Sequence, residues 1–161
     1  MKTDLTTHRI EGIAQHGNRP FSVPLISHVR GNLWQGGCID GVPLPAQIQH
    51  VVSLYPWESY VCHGDVVSVT AARLFDAAAL PDEQLLWALA AHVNRLCAIG
   101  PTLVHCQAGL NRSGMIAALA LILSGDEPLA AVSLLRQKRC DAVLCNETFE
   151  TFVLSAKRGA A

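Results

Sequence analysis

Thr102-Leu103-Val104-His105-Cys106-Gln107-Ala108-Gly109-Leu110-Asn111-Arg112-Ser113 decides how this chain is read. The first four residues are a short apolar strand. From Arg112 to Leu123 the chain lacks proline and is rich in alanine and leucine, which specifies a helix. Residues 106–111 must then be a loop joining a strand to a helix N-terminus. Gly109 gives that loop a position where the backbone can take conformations other residues resist. In α/β folds ligands bind beyond the carboxyl ends of the strands, which is where this loop lies.

The loop has the parts needed to handle a phosphate ester. A free cysteine titrates near 8.5 and is mostly thiol at neutral pH. Cys106 lies at a helix N-terminus, among loop amides and near Arg112, and each of these favours the thiolate. The main-chain N–H groups of Gln107, Ala108, Gly109, Leu110, Asn111 and Arg112 can converge on the oxygens of a bound anion. Arg112 adds a planar fork that holds two oxygens at once, which lysine cannot do equivalently. Ser113 can donate to the Cys106 sulfur and ease its departure, and His105 can hold the loop's shape through its ring nitrogens. No proton-transfer role is assigned to His105.

Outward from this unit, Leu25–Val29 and Asn32–Gln35 read as strands around the turn Arg30-Gly31. Pro45–Gln49 is a candidate short helix. His50–Leu54 and Val66–Thr70 are β-branched runs. Pro81-Asp82-Glu83 opens a helix whose apolar residues recur with helical period to Cys97, and Gly100-Pro101 closes it. Further helices are expected from Pro128 to about Lys138 and from about Asn146 to Ala156. Strands alternating with helices predict an α/β domain: a central, largely parallel sheet of four to five strands flanked by helices. Residues 1–20 read as an irregular arm, and 21–161 as a single domain.

Composition narrows the function classes. Half of the 161 residues are apolar and 16% are charged, enough to bury a core. The formal net charge of −1 offers no global field for nucleic acid or an anionic membrane, so an anionic substrate has to be caught locally. The longest apolar run near a helix, Met115–Leu123, is far short of the ~20 residues that span a bilayer. None of the six cysteines forms a CxxC pair or zinc-type spacing, and Cys62-His63 has no second ligand pair. These features predict a cytoplasmic protein with free thiols and with no metal or organic cofactor.

His105-Cys106-x5-Arg112-Ser113 resembles the signature of the protein tyrosine phosphatase superfamily, and the short chain resembles its compact dual-specificity branch. Asn32-Leu33-Trp34-Gln35-Gly36-Gly37 is similar to that branch's early strand, and Arg139, Asn146 and Phe149 are similar to its C-terminal helices. The resemblance implies hydrolysis of phosphomonoesters, on phosphotyrosine or phosphoserine/threonine in proteins, through a cysteinyl-phosphate intermediate. It implies inhibition by phosphate, sulfate or vanadate-type oxyanions. It also implies an aspartate on a loop some thirty residues before the cysteine. Asp76 has that spacing and becomes the expected proton donor. Asp82 competes, but first-turn helix stabilisation explains it better.

Other readings stay open. An RNA 5′-triphosphatase-like enzyme shares the Gly109-Leu110-Asn111-Arg112-Ser113 pattern but calls for a basic patch. A phosphoinositide enzyme calls for lysines where Gln107, Ala108 and Leu110 stand. A sulfur transferase would not require His105 or a distant aspartate. A phosphate-recognition module without turnover would need neither the thiolate nor the acid. Tyr55-Pro56-Trp57-Glu58-Ser59-Tyr60 either lines the substrate mouth or packs as ordinary loop aromatics. His92 is expected to be solvated and Cys97 to fill core. Cys140 or Cys145 can in principle trap an oxidised Cys106 as a disulfide.

Overall fold

The structure is a computed structural model and describes residues 4–157. Its centre is β7 (Thr102–His105), buried at every position, as suits a strand covered on both faces. β7 lies between β4 (Leu33–Gly36) and β5 (His50–Ser53) and runs parallel to both. β6 (Ser68–Ala71) extends the sheet beyond β5, also in parallel, and β3 (Ile26–Arg30) closes the other edge antiparallel to β4. The order β3-β4-β7-β5-β6 makes five strands with one antiparallel edge, the largely parallel sheet expected.

One helix explains how the layers assemble. α2 (Arg112–Leu123) is buried from Arg112 to Ile122, which fits a sequence apolar on every side. It packs on β7 and β4 and is enclosed by α1 (Glu83–Cys97), α3 (Pro128–Lys138) and α4 (Glu147–Ser155). A second core, including Leu25, Ile26, Ile48, Val51, Tyr60 and Leu103, packs beneath the loops that follow β4 and β5.

Several expectations need correction. Residues 1–20 are not an irregular arm throughout: β1 (Arg9–Ile13) pairs with β2 (Pro20–Pro24) as an antiparallel hairpin. Gly17 and Asn18 at its four-residue tip both have positive φ, a conformation that glycine and asparagine take more readily than other residues. The Phe21 ring lies over Gly12 opposite it. Pro45–Gln49 is a turn closed by Ile48 N–H donating to Pro45 O, because five residues behind a proline are too few for a stable helix. The run at 66–70 forms its strand slightly later, at 68–71. His92 is not simply solvated: its Nε2 lies 2.9 Å from Thr70 Oγ1, and partial burial lowers its pKa.

Asp82 caps α1, its carboxylate accepting from Leu85 N–H at 2.8 Å. Asp82→Ala is therefore expected to cost about 1 kcal/mol in urea unfolding, while Asp82→Asn, itself a good cap, is nearly silent. Equal losses in the two variants would mean that the carboxylate does something other than cap.

Candidate active site

Cys106 leaves the end of β7 between Gly36 of β4 and Leu54 beyond β5, its N–H donating to Gly36 O at 3.2 Å. From there the main chain is held by its carbonyls. His105 Nδ1 lies 3.3 Å from Cys106 O, and Cys38 N–H donates to Gln107 O at 2.9 Å. The Arg139 guanidinium donates to Ala108 O at 3.0 Å and Gly109 O at 2.6 Å, and Gln35 Nε2 adds a bond to Gly109 O at 3.0 Å. Leu144 N–H donates to Leu110 O at 3.2 Å. Five consecutive carbonyls are thus tied back into the protein. Among the described residues none of the N–H groups from Gln107 to Arg112 has a protein acceptor.

This arrangement needs glycine at 109. Its φ is +73°, and a Cβ there would sit 2.3 Å from the carbonyl carbon of Gly36. No rotamer change relieves a clash between two backbones.

Arg112 lies 4.9 Å above the Tyr55 ring and donates from one terminal nitrogen to Leu74 O at 3.4 Å. Its Nε is buried without an acceptor, so one donor of the fork remains free beside the loop amides. Cys106 and Ser113 are in contact, Sγ to Oγ 3.4 Å. Gln35 Nε2 also donates to Ser113 Oγ at 3.3 Å, which leaves the hydroxyl proton free to turn toward the sulfur. His105 is buried edge-on against Tyr60, and desolvation pushes its pKa down to about 4. The neutral ring has a donor for Cys106 O and no charge to compete with Cys106.

A cavity of about 290 Å³ opens over the loop, lined by Cys106, Arg112, Asn111 and Asp76 and walled by Ile13, Ala14, Gln15 and Phe21 of the hairpin region. Asp76 is therefore brought to the same cavity as Cys106. Its two carboxylate oxygens accept from Asn111 Nδ2 at 2.9 Å and Asn146 Nδ2 at 2.8 Å. Each oxygen keeps a lone-pair direction for a proton. Trp57 packs at a tilt between Tyr55 and Phe75 with Arg73 over its ring, so the aromatic run reaches Arg112 through Tyr55. Cys145 donates to His16 O at 2.9 Å, and burial raises its pKa. Cys62 is exposed, all six cysteines are free, and no metal-binding cluster occurs among the described residues.

Sequence reading missed several participants. Gln35 and Arg139 stand in the sequence only as members of a pattern, yet both hold the loop. Asn146 and His16 reach Asp76 from opposite ends of the chain. A polar residue inside an apolar strand, as Gln35 is, was the one signal available.

A family model described as protein-tyrosine phosphatase matches residues 76–156, about half the chain. No match was found among curated proteins. Among solved structures, a mouse dual-specificity phosphatase complexed with zinc tungstate aligns with TM-score 0.68 at 18% identity, over 81% of this chain and 86% of that one. Human DUSP28 aligns with TM-score 0.65 at 17% identity, over 80% and 94%. Tk-PTP in its active form aligns with TM-score 0.59 at 24% identity, over 83% and 99%. At such identities the likeness concerns the fold.

The buried ring of His105 makes stability depend on pH. Its pKa falls from 6.5 to about 4 on folding, so between those values the unfolded chain binds the extra proton. Stability should drop by about 3 kcal/mol as pH falls through that window and be unaffected by this residue above it. Urea unfolding of His105→Asn should show a shallower loss between pH 6.5 and 4 than the parent; an unchanged slope would refute the assignment.

Proposed function

Because the chain belongs to the protein-tyrosine phosphatase family, we propose that it hydrolyses phosphomonoesters through a cysteinyl-phosphate intermediate. One observation carries this reading: five carbonyls of the 106–110 run are turned into the protein while the amides that follow Cys106 keep their donors. With the free Nε of Arg112, these donors suit the three oxygens of a phosphoryl group in flight.

In the first step the Cys106 thiolate attacks phosphorus as Asp76, protonated, gives its proton to the departing oxygen. The S–P bond forms, the P–O bond breaks and an alcohol or phenol leaves. In the second step the Asp76 carboxylate takes a proton from water as that water attacks phosphorus. The S–P bond breaks, and the Ser113 hydroxyl stabilises the returning thiolate. His105 and the amides of Gln107, Ala108, Gly109, Leu110 and Asn111 shape and supply the phosphate cradle.

Substrates in this reading are phosphotyrosine and phosphoserine/threonine residues of proteins. Gln107, Ala108 and Leu110 bring no cation to the loop, so a single phosphoryl group is better matched than a polyphosphate or a multiply phosphorylated inositol. Apolar walls at Ile13, Ala14 and Phe21 suit an organic group behind the ester oxygen. Phosphate, sulfate and vanadate should compete for the cradle. A nucleophilic thiol among five other free cysteines suits a reducing compartment, and we place the protein in the cytoplasm. Among the described residues no helix is long and apolar enough to cross a membrane.

Phosphate release from phosphopeptides, nucleotides and phosphoinositides tests the reading. Cys106→Ser should abolish turnover on every substrate. Asp76→Asn should slow it by about 10²–10⁴-fold. Retained activity in the serine variant would rule out the covalent route.

A further inference from the structure

The loop that carries Asp76 is poorly supported by the sheet. Its last main-chain bonds to neighbouring strand segments are Ala72 N–H to Ser53 O and Leu74 N–H to Leu54 O. Beyond Leu74, the carbonyls are caught by side chains. Asn146 Nδ2 donates to Ala77 O at 2.9 Å and Thr148 Oγ1 to Ala78 O at 2.8 Å, both from the start of α4. Asp76 O itself lies 2.6 Å from His16 Nε2. A carbonyl only accepts, so Nε2 must carry the proton. The same nitrogen is 3.9 Å from Asp76 Oδ1.

His16 is well placed to act as a brace because its own support is stiff. Ala14 N–H donates to Arg19 O across the tip, and Cys145 Sγ–H donates to His16 O. Gly17 follows at φ +74°, packed so closely that a Cβ would lie 2.5 Å from Cys145 O. The tip is thus seated on the segment leading into α4. The stretch before His16 lines the cavity at Ile13, Ala14 and Gln15.

We propose that His16 is a positioning residue: its Nε2–H fixes the main chain of Asp76 so that the carboxyl group meets the leaving oxygen, making the N-terminal hairpin part of the acid machinery. The proposal rests on Asp76 being the general acid. Protonating a leaving group matters most when that group is basic, so loss of the brace should be felt according to leaving-group pKa.

The experiment measures kcat/KM on aryl phosphates from acidic phenols to phenol itself, for wild type, His16→Phe, His16→Gln, Asp76→Asn and the His16→Phe/Asp76→Asn double variant. Phenylalanine fills the space without an N–H; glutamine can return one to the same carbonyl. His16→Phe should lose about 10–100-fold on phenyl phosphate and less than about 3-fold on the most acidic phenol's ester. Glutamine should restore most of the loss, and the double variant should be no worse than Asp76→Asn alone. A uniform loss across leaving groups, no loss, or an additive double variant would overturn the brace while Asp76→Asn still shows the leaving-group trend. If Asp76→Asn shows no trend, the acid assignment is what fails. Should His16→Phe not fold, His16→Ala run through the same series gives the same decision.

Discussion

Arg139 holds the site together from behind. It is buried, and desolvation lowers its pKa to about 10, so it stays a cation at neutral pH. Among the described residues no carboxylate lies within ion-pair distance of it. Its donors go to Ala108 O, Gly109 O, Pro24 O and Ser27 Oγ. Burying an unpaired charge costs several kcal/mol, and charged hydrogen bonds return about 1.5–3 kcal/mol each, so the two effects are of comparable size. What the arrangement secures is direction. With two successive carbonyls pulled toward the guanidinium, one of them shared with Gln35, and those on either side tied by His105, Cys38 and Leu144, the intervening N–H groups keep their donors for an anion.

The surrounding titratable groups reinforce this polarity. Burial pushes Cys38 up to about 12 and raises the Tyr60 phenol, so both remain neutral beside the loop. His105 is neutral for the same reason, its burial disfavouring the charged imidazolium and so lowering its pKa. Arg112 in front and Arg139 behind are then the fixed charges flanking Cys106, and both are positive. In the proposed reading these two cations offset the charge of a bound oxyanion.

The strand–loop–helix unit was legible because it depends on local order: an apolar tetrapeptide, a glycine at the tight bend, and a helix apolar on all faces. The same holds for α1, whose period and capping aspartate agree. The hairpin at 9–24 was hidden because its apolar positions are few and its pairing is fixed by Phe21 covering Gly12 and by the Gly17-Asn18 turn. An amphipathic pattern cannot show that Thr70 of β6 lies within bonding distance of His92. Gln35 and Arg139 looked like ordinary polar residues; what distinguishes them is burial against loop carbonyls far away in sequence. Asp76 could be placed from the family resemblance, but none of the contacts that hold it could.

Those contacts explain why the acid, as proposed, is the least local part of the site. The proposed nucleophile, the cradle and Arg112 lie within seven consecutive residues, 106–112, between a buried strand and a buried helix. Asp76 instead depends on Asn111 from the cradle, Asn146 at the start of α4 and His16 on the hairpin, which arrive from 35, 70 and 60 residues away. Each contact requires a different piece of chain to be in place. In the proposed reading, binding an anion rests on the strand–loop–helix unit with its ties to Gln35, Cys38, Arg139 and Leu144, whereas protonating a leaving group rests on Asn111 and Asn146 at one carboxylate and on His16 at the carbonyl behind it. Loss of the His16 or Asn146 side chain therefore disturbs the carrier of the proposed acid without removing any bond that ties the cradle's carbonyls.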